Sequence, residues 1–61
     1  MKLSELIRIL KKNGAVLFHH GRNHDKYICR DGRMIIVPRH AKEIPTGTAE
    51  KILKDAGIKR R

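Results

Sequence analysis

The sequence predicts an α+β domain of order α-β-β-β-α: a three-stranded antiparallel sheet with two helices on one face. Three observations carry this expectation. Helical periodicity occupies both ends of the chain, short β-forming blocks fill the middle, and a "DG" dipeptide joins two of those blocks. With 61 residues the chain makes one domain, spanning 1–61, because a chain this short buries only about 60% of the surface it exposes when unfolded. There is room for one thin core.

In "KLSELIRILKKNG", Leu3, Leu6, Ile7 and Leu10 follow the i, i+3, i+4, i+7 spacing of one helical face. Ser4 is the expected N-cap with Glu5 in the first turn, Lys11 and Lys12 suit the negative end of the helix dipole, and Asn13 and Gly14 end the helix. "AVLFH" is short and rich in β-formers, so the first strand is expected at about 15 to 19. "HGRN" is a turn, "HDKYICR" a second strand and "RMIIVP" a third, stopped by Pro38.

If Asp31 and Gly32 are the two central residues of a type I′ turn, Arg30 pairs with Arg33, Ile28 with Ile35, Lys26 with Val37 and His24 with Arg39. Tyr27, Cys29, Met34 and Ile36 then face the core. His24, Lys26, Arg30, Arg33 and Arg39 face outward, beside an apolar strip of Ile28, Ile35 and Val37 that would suit a protein partner. A slip of one residue at the turn reverses this assignment. "RHAKEIPTG" reads as a loop. "TAEKILKDAGI" reads as the second helix, capped by Thr48 or Thr46, with Ala49, Ile52, Leu53 and Ala56 buried and Gly57-Ile58 forming a Schellman stop.

Fifteen Lys and Arg against six Asp and Glu leave a net charge of +9. Such a field draws polyanions, and nucleic acid is the first expected partner. The charge is spread over every element rather than gathered on one amphipathic face, which argues against a membrane-lytic helix. No apolar run approaches the roughly 20 residues of a membrane span, no signal-peptide core is present, and the single Cys29 fits a reducing compartment, so a cytoplasmic protein is expected. With two aromatic residues, Phe18 and Tyr27, base-stacking sheet modules are disfavoured, whereas a domain reading phosphates through Lys and Arg is not.

His19, His20 and His24 crowd one stretch. A zinc site usually needs three or four ligands of compatible geometry, and here two histidines flank a turn with no second Cys or His pair elsewhere, so no metal or other cofactor is expected. RNA cleavage without metal needs a base for the 2′-hydroxyl, an acid for the leaving oxygen and cations for the charge at phosphorus. Histidine suits the proton transfers because its ordinary pKa of about 6.5 lies near working pH. His24, opening the second strand opposite Arg39 on the cationic face, is the candidate. A non-catalytic RNA-binding module of the same fold is the alternative.

The order "LKKNG", "GRNHDKY", "DGR", "VPRH" and "ILKDAGI" resembles the HicA family of mRNA interferase toxins over nearly the whole chain, about Leu3 to Ile58. The resemblance implies a fold like the double-stranded-RNA-binding domain. It also implies a translation-independent endoribonuclease that cleaves mRNA and is held inactive by a HicB antitoxin. The family's catalytic histidine closes the glycine-containing turn, and the matching residue is His24. Where many members carry Gly-Ser or Gly-Gly, this chain has Gly21 and Arg22, a departure that alters the turn or adds a phosphate contact. Lys26, Arg30 and Arg33 join Arg22 as expected RNA contacts by position. Arg39 in "PRH" is the expected contact for substrate phosphate or transition-state charge. His40 is either structural or catalytic, Asp25 a surface or turn-bonding residue, and His19 and His20 solvated strand-end histidines.

Overall fold

A computed structural model describes residues 1–58. The order is α1 (Leu3–Lys12), β1 (Val16–His20), β2 (His24–Ile28), β3 (Met34–Pro38) and α2 (Thr46–Asp55). The strands form one antiparallel sheet in the order β1-β2-β3. This is the α+β arrangement expected from the periodicity.

The apolar stripe of α1 buries Leu6 and Leu10 completely, with Leu3, Ile7 and Ile9 packed around them. Ser4 does not cap the helix; Lys2 holds the cap position and no side chain bonds there. The first turn is instead tied to the chain before α2. Leu3 N–H donates to the Lys42 carbonyl at 3.0 Å, and Ile44 N–H donates to the Met1 carbonyl at 2.7 Å. That pairing satisfies a helix-start donor that a serine hydroxyl would otherwise serve elsewhere in the first turn. Both helices stop as expected: Gly14 and Gly57 take φ of +92° and +76°. Ala15 N–H then reaches the Leu10 carbonyl and Ile58 N–H the Leu53 carbonyl, closing Schellman turns.

The expected stripe of α2, Ala49, Ile52, Leu53 and Ala56, is buried. Its cap is neither threonine: Pro45 precedes the helix with φ of −54°, and its carbonyl accepts from Ala49 N–H at 2.9 Å. Proline's locked φ prepares the chain for the helix without a side-chain cap.

The β2–β3 register differs by one residue from the type I′ expectation. Tyr27 pairs with Ile35, Lys26 with Ile36 and Ile28 with Met34, and His24 lies opposite Pro38, not Arg39. The cause is the turn. Only Gly32 takes positive φ, Gly32 N–H donates to the Cys29 carbonyl, and Cys29 N–H donates to the Arg33 carbonyl. The loop is thus the longer kind, Arg30-Asp31-Gly32, which spares Asp31 the left-handed conformation that a Cβ disfavours.

One residue of slip exchanges the faces of β3. Ile35 and Val37 are 4% and 1% exposed, whereas Met34 and Ile36 are 48% and 55% exposed. Tyr27 is in the core as expected, and Cys29 is partly buried against it. The expected outer strip of Ile28, Ile35 and Val37 is therefore corrected: the exposed apolar residues are Val16, Leu17, Phe18, Met34 and Ile36. Placing two β-branched side chains under the helices contributes about 1.5–3 kcal/mol each relative to exposure.

Candidate functional site

The turn from β1 to β2 carries Gly21, Arg22 and Asn23, and His24 opens β2 directly after it. Gly21 N–H donates to the His24 carbonyl at 3.0 Å. A Cβ on Gly21 would lie 2.4 Å from that same carbonyl oxygen, so only glycine lets the two strands close here. No residue of this turn takes positive φ.

Its three carbonyls are all held by the segment that follows β3. Arg39 Nη1 donates to the Gly21 carbonyl at 3.0 Å and leans on that of Arg22 at 3.5 Å, His40 Nε2 lies 3.0 Å from the Arg22 carbonyl, and Arg39 N–H donates to the Asn23 carbonyl at 3.0 Å. A carbonyl only accepts, so His40 carries its proton on Nε2 in this contact. "PRH" is thus a clamp on the turn that presents His24. His40 braces the turn through Nε2, and Arg39 has one nitrogen committed to the backbone.

Beneath the clamp lies Asp25, which the alternation of β2 turns inward beside Tyr27. It is 9% exposed, not a surface residue. His20 Nδ1 stands 3.0 Å from its Oδ1, and Arg39 Nε stands 4.0 Å from the same atom. The His20 contact has ion-pair distance without hydrogen-bond geometry, and Oδ1 has no hydrogen bond among the described residues. His20 is therefore partnered, unlike the solvated strand-end residue expected, while His19 is exposed and pairs with Lys26 across the β1–β2 ladder. A bulge between Leu17 and His19 shifts this ladder.

The remaining expected site residues divide between the two ends of the sheet. His24, Arg22 and Lys26 are exposed, and Lys26 follows His24 on the same face about 7 Å along the strand. Arg30 and Arg33 belong to the other end, about 20 Å away by strand rise. Arg33 Nε pairs with Asp31 at 2.9 Å, and its Nη1 lies 3.5 Å from the Asp55 carbonyl. Arg30 folds back over Gly14, where a Cβ would lie 3.1 Å from its Nε. The five expected cations are not one patch around His24.

His24 also lines a groove of about 430 Å³ between β3 and α2, with Pro38, Met34 and Ile36 on one side and Thr48, Lys51 and Asp55 on the other. Sequence reasoning missed Lys51 and Asp55 as neighbours of the site. The signal was present, since 48, 51, 52 and 55 follow the i, i+3, i+4, i+7 spacing of one helical stripe.

Two pKa directions reflect the core. Burial, then the Asp25 charge, pushes the Tyr27 hydroxyl above its ordinary value. Burial raises the Cys29 thiol, Asp31 adds to the effect and Arg33 opposes it. Among the described residues no three His, Cys, Asp or Glu side chains come together as a metal-holding group, and no helix is long and apolar enough to cross a membrane.

The structure by itself defines a small basic α+β domain with an exposed histidine mounted on a clamped turn, and comparison with known proteins supplies its class. Residues 3–58 match the family model described as the HicA toxin of bacterial toxin–antitoxin systems. The chain is 47% identical over 60 residues to a Photorhabdus laumondii protein named "Probable mRNA interferase HicA 2", covering 97% of this chain and 100% of that one. The chain belongs to the HicA toxin family.

Proposed function

We propose that this chain is a cytoplasmic endoribonuclease toxin that cleaves mRNA, without a metal, through His24 as general acid or base, and that a HicB-type antitoxin restrains it. The observation that carries the reading is the mounting of His24. Its ring is exposed at the mouth of a groove, and its backbone is fixed by a turn whose three carbonyls are held by Arg39 and His40.

In the proposed reaction the 2′-hydroxyl loses its proton to a base and its oxygen attacks the adjacent phosphorus. The P–O5′ bond breaks, and an acid protonates the departing 5′-oxygen, leaving a 2′,3′-cyclic phosphate and a free 5′-hydroxyl. His24 performs one of these transfers. Lys26 and Arg22 supply positive charge from the same end of the sheet, where ionised donors offset the charge that grows on the phosphoryl oxygens. Arg39 acts chiefly through the turn, with Nη1 on its carbonyls, Nε facing Asp25 and Nη2 left for phosphate. Arg30 and Arg33 stand too far away for the reacting phosphate and serve the outlying RNA backbone.

One observation favours the non-catalytic alternative: among the described residues no hydrogen-bond partner orients the His24 ring, whereas catalytic bases usually have one. Expression from an inducible promoter separates the readings. Wild type is expected to arrest growth and fragment mRNA, and His24→Ala to do neither. Arrest and fragmentation by both proteins would remove His24 from the chemistry. Steeply salt-dependent binding with intact RNA would establish the binding module instead.

A further inference from the structure

We infer that the groove between β3 and α2 is a nucleoside subsite, in which Lys51 holds a backbone phosphate and Asp55 accepts hydrogen bonds from the amino group of a base. The inference rests on RNA being the ligand of the His24 site and adds the part of the RNA that the groove reads. His24 and its register partner Pro38 stand at one end of the groove. Asp55 stands at the Met34 end, because Arg33, next to Met34, reaches the Asp55 carbonyl. From Thr48 to Asp55 the helix rises about 10 Å. A phosphate seated at His24 therefore delivers its neighbouring nucleoside into this space by chain connectivity alone.

The walls match a nucleoside. Met34 and Ile36 present exposed apolar surface for the flat face of a base. β3 is an edge strand, and its ladder bonds to β2 fall at alternate residues. Cys29 bonds to Arg33 and Asn23 to Arg39, so the N–H and C=O groups of Met34 and Ile36 point away from β2 toward the groove. Lys51 adds a cation, which phosphate favours.

Asp55 is the informative residue. A carboxylate repels phosphates, and it stands at the helix end where a negative charge is disfavoured. Among the described residues it has no side-chain ion pair. A carboxylate accepts from the exocyclic amino groups of cytosine, adenine or guanine, and uracil has none. Cytosine and uracil differ least in size, so they make the cleanest probe.

The test measures binding of short 2′-O-methyl oligocytidine and oligouridine, which lack the attacking hydroxyl, to the full chain by fluorescence anisotropy. Wild type is expected to prefer oligocytidine by about tenfold, within the range of one good base contact. Asp55→Ala, which removes the acceptor, is expected to erase the preference. Lys51→Ala is expected to weaken both ligands alike and to lower the salt slope by about one. Both side chains are exposed, and unchanged thermal melting of the variants excludes a folding defect. Equal wild-type affinities, or a preference that survives Asp55→Ala, would overturn the subsite. So would β3 edge amides that ignore both oligonucleotides in NMR titration while responding to an extended peptide, which would make the groove a strand-docking site. Because binding is read without cleavage, a preference seen with unmodified RNA left intact would fault only the nuclease reading. Histidine-dependent cleavage without the preference would fault only the subsite.

Discussion

The two turns of the sheet are both short and each needs a glycine, yet they are held in opposite ways. The Arg30–Gly32 turn is stabilised by its own neighbours: Asp31 Oδ1 accepts from Arg33 N–H at 3.1 Å, Asp31 pairs with the Arg33 guanidinium, and Gly32 supplies positive φ. The Gly21–Asn23 turn is closed locally by the Gly21 N–H bond to the His24 carbonyl, but among the described residues no side chain of the turn braces it, and its carbonyls depend on Arg39 and His40, far away in sequence. A locally held turn sets the register of a hairpin. A turn held from a distance joins the position of His24 to the end of β3, the rigidity that the proposed role of His24 requires.

Substituting the two glycines breaks this contrast most sharply. Gly21→Ala drives a methyl against the His24 carbonyl, and RNA cleavage is expected to fall by more than tenfold, since small misplacements near reacting groups cost this much. Gly32→Ala meets no atom within 4 Å and pays only for its positive φ, about 1–2 kcal/mol. Denaturant titration should show that loss, with cleavage per folded molecule unchanged.

The arginines sharpen it next. Arg39→Ala removes the donor to Gly21 and is expected to lower the cleavage rate constant more than the RNA affinity. Arg33→Ala breaks a mostly exposed pair and is expected to cost up to about 1 kcal/mol of stability, with near wild-type cleavage. Equal rate losses from both would show that the distant clamp has no special part.

The smallest effect is alkaline. Tyr27 carries a raised pKa in the folded chain, so its neutral form is the one the core prefers. The stability it contributes is present below its ordinary pKa of about 10 and is lost as pH rises through the higher folded value. Thermal melting above pH 10 should show wild type losing stability faster than Tyr27→Phe.

The helices were legible because periodicity and glycine stops are local: the stripe of α2, the end of α1 at Gly14 and the Schellman turn at Gly57 follow from spacing alone. The hairpin register was not, because "DG" serves both a two-residue and a three-residue turn, and the choice lies in whether Asp31 or only Gly32 adopts positive φ. That single residue moved Ile35 and Val37 into the core and parted His24 from Arg39. The place of His24 at the start of β2 was legible from the turn before it, while its proposed role comes from the family resemblance. The Arg39–His40 clamp was not, because side-chain bonds to backbone carbonyls leave no pattern in composition. Asp25 had a visible signal, its alternation with Tyr27, which its charge obscured.

In the proposed reaction His24, on its clamped turn, transfers a proton during metal-free RNA cleavage. The most direct measurement is the rate at which purified wild type and His24→Ala convert a defined single-stranded RNA to 2′,3′-cyclic-phosphate products in excess EDTA. Wild type is expected to cleave, and His24→Ala to be slower by about 10²–10⁴-fold, the usual worth of a general acid or base. Equal rates for the two proteins, or a wild-type reaction that EDTA abolishes and added metal restores, would contradict it.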